Sequence, residues 1–291
     1  MSSLDPRLTL ARPDLADRAL EGQVEAERFV DPVLYQASVS AAPIRRQPHP
    51  DGAMDDQLLF GDAFAVLEVV DGWAWGQSRS DDYVGWVDVA GLSQTCRPVD
   101  HRISVLRTYV FSEPDFKSAP RALLSLNSCF KAGRRDGRFV EVEGLGWVTA
   151  AHCSRLDETA DDFVAVAEGF LGAPYLWGGK ESLGLDCSGL VQMALAASGV
   201  AIPRDADQQE AWALDHGAIV PAGAELARGD VVFWPGHVGL MTDSEHFLHA
   251  NAGFMDVTLE PFSEAEARIR AAENPVRNRV RLAFYSPPGL F

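Results

Sequence analysis

A glycine-rich loop that runs straight into an apolar helix constrains this chain more than any other feature. The loop reads PYLWGGKESLGLDCSG (174–189), and SGLVQMALAASG (188–199) continues as a helix closed by Gly199. Three strand-like runs follow: GDVVFW (229–234), HVGLMT (237–242) and HFLHANA (246–252). Pro235-Gly236 makes the first tight turn between them, and a final strand, RLAFY, is expected at 281–285. Ahead of the loop, DETADDFVAVAEGFLG (157–172) reads as a helix with Thr159 as N-cap. Its apolar residues Phe163, Val166, Ala167 and Phe170 recur at helical spacing. Helix, loop, helix, then antiparallel strands is an α+β order.

The first half has a different texture. LLFGD, AFAVLEVV, GWAWGQS and YVGWVDV, between 57 and 90, are short β-prone runs broken by Gly and Asp. That spacing predicts a small antiparallel barrel. Residues 103–156 echo it with ISVLRTYVF, LLSLNSCF, FVEVE and LGWVTAAHC. YVGWVDVAGL (83–92) and LGWVTAAHCS (145–154) align as a two-copy repeat: Gly-Trp-Val in a strand, then a turn and a short apolar end. AAPIRRQPHPDGAMDDQ (41–57) is expected to begin as a strand and become a loop. Residues 1–38, with Pro6, Pro13 and Pro32, are expected to form an irregular arm with one short helix near 14–27. The expected domains are therefore 1–38 (arm), 39–97 and 98–157 (two small barrels) and 158–291.

Composition narrows the partners. The 291 residues carry a net charge of −17, which repels phosphate backbones and anionic lipid heads. Nucleic acid and a polybasic membrane anchor are therefore not expected. No run approaches the roughly 18 apolar residues of a membrane span, and the N-terminus has no apolar core of signal-peptide length. The expected location is cytoplasmic, the expected state a monomer. For a chain of this length without an export signal, at least three of the four cysteines are expected to be reduced.

Cys187 is where the chemistry is expected. A thiol at a helix N-terminus faces unsatisfied N–H groups and the positive end of the helix dipole, both of which favour thiolate. Nearby backbone N–H groups, including its own, can bind an oxyanion. The alternative is a buried structural cysteine at a helix start. His237 opens a strand directly after the Pro-Gly turn, and His249 lies near the end of the next. Adjacent antiparallel strands can set two such side chains together on one face. One imidazole then takes the thiol proton while the second orients it. His246 and His249 fall on opposite faces of a strand, which argues against a His237–His246–His249 zinc site. No metal and no cofactor are expected.

These residues carry a resemblance. WGG (177–179), DCSGLV (186–191), the GD…FW…GHVGL run (229–240) and HAN (249–251) resemble the NlpC-type family of papain-like cell-wall cysteine peptidases. The upstream repeats resemble the paired bacterial SH3 domains of one branch of that family. The resemblance implies a papain-like α+β domain preceded by two SH3-like barrels. It also implies hydrolysis of the γ-D-glutamyl–diamino acid bond in murein peptides with a free N-terminal L-alanine, in cytoplasmic recycling. By position, Cys187 matches the nucleophile, His237 the base, His249 the third polar residue and Tyr175 a tyrosine that lines the site and helps with the oxyanion. Asp186 and Ser188 match residues that contact the substrate amine end; they read equally as helix N-cap and first-turn hydroxyl. In that branch the first SH3 domain closes over the site and reads the amine through an acidic residue and a tyrosine, here Asp62 and Tyr83. The family more often has Glu at the position of Asp62, one methylene longer. Asp62 also reads as a turn residue after Gly61, and Tyr83 as a barrel-core aromatic. Trp177 is expected to support the loop. The rival functions are an inactive murein-peptide binding protein, or an amidase or acyltransferase on the same fold.

Overall fold

Asp71 and Gly72 both take positive φ, 49° and 84°, and close a two-residue hairpin between Ala63–Val70 and Trp73–Ser78. An Asp-Gly pair suits such a turn because its twist matches that of the flanking strands. The hairpin is the centre of a seven-stranded sheet. Its strand order is Leu92–Ser93, Val33–Ala37, Ala63–Val70, Trp73–Ser78, Val84–Asp88, Ala41–Arg45 and Met54–Leu59. Phe64, Ile44, Leu58, Val87 and the ring of Tyr83 fill its core. The structure is a computed structural model and describes residues 4–272 and 274–286. Residues 1–3 of the expected arm, with 273 and 287–291 of the expected C-terminal domain, lie outside the described residues.

Two expectations for the N-terminal arm are corrected. Val33–Ala37 is a strand of the seven-stranded sheet, paired antiparallel with Ala63–Val70. Residues 14–27 form no α-helix: Leu15–Asp17 is a short strand, followed by a single 3-10 turn at Arg18–Leu20 that Asp17 caps. Tertiary packing overrides local propensity here. Leu10 and Leu15 are buried against Trp75, and the Arg12 guanidinium lies 4.4 Å from the centre of that ring.

A five-stranded sheet and a three-stranded sheet follow, built from strands between His101 and Arg155 around a core of Ile103, Val110, Leu124, Phe130 and Val148. The two aligned segments share a conformation. Val84–Asp88 leads into a 3-10 turn at Val89–Gly91 and then Leu92–Ser93; Gly146–Thr149 leads into a 3-10 turn at Ala150–His152 and then Cys153–Arg155. The residue before each turn has nearly the same backbone: φ −62°, ψ 124° at Asp88 and φ −62°, ψ 121° at Thr149.

The chain divides into two compact units, Met1–Leu156 and Asp157–Phe291. Among the described residues, the second unit has four helices: α1 (Phe163–Glu168), α2 (Cys187–Ala197), α3 (Ala206–His216) and α4 (Phe262–Ala271). Its six-stranded antiparallel sheet comprises β1 (Gly217–Ile219), β2 (Asp230–Trp234), β3 (His237–Met241), β4 (His246–Asn251), β5 (Asp256–Pro261) and β6 (Asn278–Leu282). The strand order is β1-β6-β2-β3-β4-β5. Helix α1 starts later than expected, because Asp162 rather than Thr159 accepts the Val164 N–H as its cap. The last strand ends at Leu282, and Tyr285 leaves the sheet to donate its hydroxyl to Asp162. Among the described residues, no helix is long and apolar enough to cross a membrane.

Candidate active site

The glycine-rich loop and the first turn of α2 are locked together by one carboxylate. Asp186 is the N-cap of α2, and its Oδ1 accepts the Gly189 N–H at 2.8 Å. Oδ2 accepts the Gly178 N–H at 2.8 Å, which fastens the loop to the helix. Arg204, 1% exposed, donates to both oxygens at 2.9 and 2.7 Å and to the Gly179 carbonyl at 3.3 Å. The glycines are needed for closeness. Gly178 has φ +76°, and a Cβ on Gly189 would sit 2.3 Å from the Gly179 carbonyl oxygen.

For Asp186 the structure favours the cap over the substrate amine. With the Ser188 hydroxyl at 3.2 Å added, five hydrogen bonds already converge on this carboxylate. An ammonium would have to displace one of them. Ser188 is committed in the same way: its Oγ donates to Asp186 and accepts from Arg204 at 2.8 Å. Arg204 was not singled out by sequence reasoning. The signal available was an arginine 18 residues beyond a helix-capping aspartate, which has no local meaning.

Cys187 is the first residue of α2 and is 6% exposed. Its sulfur is met by the backbone N–H of Ser188 and by that of Val238, the residue after His237. The thiol therefore lies at the start of β3. Burial pushes it up to about 12, the neighbouring Asp186 carboxylate adds to the rise, and the two N–H groups and Arg204 pull the other way. Burial outweighs the helix-terminus N–H, which favours thiolate as expected, and holds the resting sulfur as a thiol.

The histidines come together along a diagonal. Strands β3 and β4 pair Leu240 with Leu248 and Met241 with Phe247, so continuing the register sets Gly239 opposite His249 and leaves His237 one diagonal away on the same face. His237 Nε2 lies 2.7 Å from His249 Nδ1. The diagonal continues into β5, where His249 faces Thr258 and Glu260 is two residues on. His249 Nε2 lies 2.8 Å from Glu260 Oε1, and Arg268 on α4 grips both Glu260 oxygens at 2.6 Å. Sequence reasoning missed both Glu260 and Arg268.

This chain of contacts assigns the protons. Arg268 and His249 hold Glu260 below its ordinary range against its own burial, so it is an ionised acceptor. His249 must then carry its proton on Nε2 and present Nδ1 as a lone pair. His237 in turn donates from Nε2, and its Nδ1 is left as the basic nitrogen. The Asn251 amide makes the opposite demand on His249 Nε2, offering Nδ2 at 3.3 Å while its Oδ1 accepts from Gly253 N–H at 2.6 Å. The charged contact is half an ångström shorter and prevails. Burial, with the neighbouring His249 and Arg268, lowers His237 to about 3, so the resting histidine is neutral. With thiol and imidazole both neutral at rest, any proton transfer between them accompanies attack rather than preceding it.

Comparisons with known proteins find matches in both units. Residues 172–270 match the protein-family model of the NlpC/P60 family, and residues 44–92 that of the bacterial dipeptidyl-peptidase Sh3 domain. A gamma-D-glutamyl-L-lysine dipeptidyl-peptidase from Bacillus subtilis (strain 168) is 30% identical over 228 residues, 69% of this chain and 73% of that protein. The chain belongs to the NlpC/P60 family. In this NlpC/P60 protein, Cys187, His237, His249, Glu260 and Arg268 all lie within the stretch matched by the family model. A dipeptidyl-peptidase 6 from Lysinibacillus sphaericus is 36% identical over 110 residues, but the match spans only 39% of that relative's length. The crystal structure of an NlpC/P60 family protein from Bacillus cereus ATCC 10987 has a TM-score of 0.71 at 18% identity, covering 86% of this chain and 99% of that one, a likeness of fold alone.

The remaining expected residues are placed as follows. Tyr175 is half-buried; burial, Cys187 and Asp186 all raise its phenol, so it stays protonated and able to donate. Trp177 is 59% exposed. Asp62 closes the turn before Ala63, accepting the Leu59 N–H at 2.8 Å, and the Tyr83 ring is buried in its own sheet's core. His246 pairs with Asp243 at 2.9 Å. Among the described residues, no group of three or more His, Cys, Asp or Glu is arranged to hold a metal ion. All four cysteines are free thiols.

Proposed function

We propose that this NlpC/P60 protein is a cysteine endopeptidase that hydrolyses the amide between γ-D-glutamate and a diamino acid in murein peptides with a free N-terminal L-alanine, and that it serves cytoplasmic cell-wall peptide recycling. The observation that carries the chemistry is the proton order along Glu260, His249 and His237, which leaves His237 Nδ1 basic at the strand end where the Cys187 sulfur lies. The name of the Bacillus subtilis relative supports the choice of bond.

In this reading the Cys187 sulfur attacks the carbonyl carbon as its proton passes to His237 Nδ1. The developing oxyanion is met by the Cys187 N–H and the Tyr175 hydroxyl. His237 gives its proton to the leaving amine as the C–N bond breaks, and a thioester remains. Water then attacks that thioester while His237 takes its proton, the C–S bond breaks, and Cys187 recovers a thiol.

The roles of Asp62 and Tyr83 in reading the substrate amine rest on the family resemblance. The matching strand–turn–strand conformations at 83–93 and 146–155 support reading both parts of the first unit as SH3-like. The test is mass spectrometry of L-Ala-γ-D-Glu-L-Lys and its meso-diaminopimelate counterpart after incubation. Release of L-Ala-γ-D-Glu is expected, and acetylating the alanine should suppress it. Cleavage at another bond, or equal rates on blocked and free peptides, would overturn the corresponding part.

A further inference from the structure

Glu260 is 8% exposed, is held ionised and meets His237 only through His249. A buried carboxylate is costly unless its partners repay the desolvation. Here the partners are Arg268, through two bonds, and His249 Nε2. The same nitrogen has a competing neighbour in the Asn251 amide, whose Oδ1 is committed to Gly253, so that Nδ2 faces the ring. His249 thus stands between an acceptor and a donor that ask for opposite tautomers. Which one wins decides which nitrogen of His237 is basic.

We propose that Glu260, held by Arg268, is the positioning residue that selects the tautomer of the His237–His249 pair and so makes His237 Nδ1 the base. Without Glu260, Asn251 Nδ2 donates to His249 Nε2. His249 then carries its proton on Nδ1 and donates to His237 Nε2. His237 is left protonated on Nδ1, the nitrogen that must receive the thiol proton. The fold is unchanged, but the base is reversed. The role of His237 rests on the function proposed above; the tautomers are readable without any substrate.

Charge acts on the pair in two directions. Burial lowers both imidazoles; against it Glu260 and Asp256, both on β5, raise His249 and Glu260 raises His237, while Arg268 on α4 lowers both and His249 lowers His237. Glu264, on the first turn of α4, acts on Arg268 in turn. Cys187 on α2 is uncharged at rest. Removing Glu260 should therefore move the acid limb of the pH–rate profile to lower pH, and removing Arg268 should move it to higher pH.

Glu260→Met is the direct test, because it keeps the side-chain length and removes the acceptor. Arg268 is 41% exposed in its side chain and can turn to water when its partner is lost. Nitrogen-15 NMR of histidine-labelled protein reads the tautomers. The wild type should show both rings protonated on Nε2, and Glu260→Met should show both protonated on Nδ1. Peptide hydrolysis by Glu260→Met should fall by about 10²-fold in kcat with KM nearly unchanged, the scale of lost outer-shell support. Glu260→Asp, which keeps the acceptor, should recover part of it. Arg268→Gln, at a more exposed position, guards against a folding failure and should give the opposite shift of the acid limb. Unchanged tautomers in a folded Glu260→Met protein would overturn the proposal, as would pH limbs that move together in the two variants. If no murein peptide is cut by the wild type, the function fails while the NMR result still stands or falls by itself.

Discussion

Gly239 and His249 face each other across β3 and β4 with no room to spare: a Cβ on Gly239 would sit 2.8 Å from the His249 Cβ and 2.3 Å from the Phe247 ring. The bare backbone of β3 is what lets the His249 ring lie flush beneath it and reach His237. Gly239→Ala should therefore displace His249 or Phe247. Overpacking of this kind costs about 1–3 kcal/mol. Activity should fall more than stability predicts, because the 2.7 Å contact between the two histidines is the first to lengthen. Urea unfolding and peptide hydrolysis, measured on the same preparation, separate the two effects.

Cys187→Ala should abolish turnover and leave the fold intact, since the sulfur makes no structural bond beyond the two N–H contacts. A loss of about 10⁴-fold or more is expected for removal of a nucleophile, with peptide binding by calorimetry preserved. Retained hydrolysis would assign the chemistry to another group.

Arg204→Met should be among the most destabilising single changes. The pair it forms with Asp186 is buried on both sides, 1% and 8% exposed, and removal of one partner leaves an uncompensated carboxylate at the cap of α2. Breaking such a pair costs about 3–5 kcal/mol. The denaturation midpoint should fall accordingly, and the catalytic loss should follow the unfolding. Normal stability with lost activity would instead identify Arg204 as a substrate contact.

Stability should decline on both sides of neutrality. His237 is lowered to about 3 in the folded protein, so below its ordinary value of about 6.5 the unfolded chain binds a proton that the native state refuses. Its contribution is lost as pH falls from about 6.5 towards about 3. Asp162 and Glu260, also lowered, lose theirs in the acid range. On the alkaline side, Cys129, Cys153 and Cys187 are each raised from 9.0 to about 12 by burial, so the unfolded chain releases protons first and stability falls as pH rises through that window. Urea midpoints from pH 3 to 11 check both limbs. A flat alkaline limb would mean that the thiols are not desolvated.

Cys187 at a helix start, the turn at Pro235-Gly236 and the two strand histidines were all legible in the sequence. They are short-range facts of periodicity and turn chemistry, fixed within a few residues. The first-unit strands were visible as runs, but their pairing was not. Val33–Ala37 looked like arm because an exposed edge-side strand carries little alternation. Residues 14–27 looked helical because nothing local announces that Leu15 will be buried against Trp75.

The sequence by itself determined that Cys187 opens a helix, that His237 and His249 lie on neighbouring strands, and the order of elements that presents them. Only the tertiary structure decided how protons are arranged among them. That arrangement runs diagonally over three strands to Glu260 and on to Arg268, and a diagonal exists only once register is set. Likewise Asp186 reads as a cap or as a substrate contact until Arg204, distant in sequence, closes on it. Register and buried charge pairing depend on the whole packed unit, so no local stretch of residues can encode either alone.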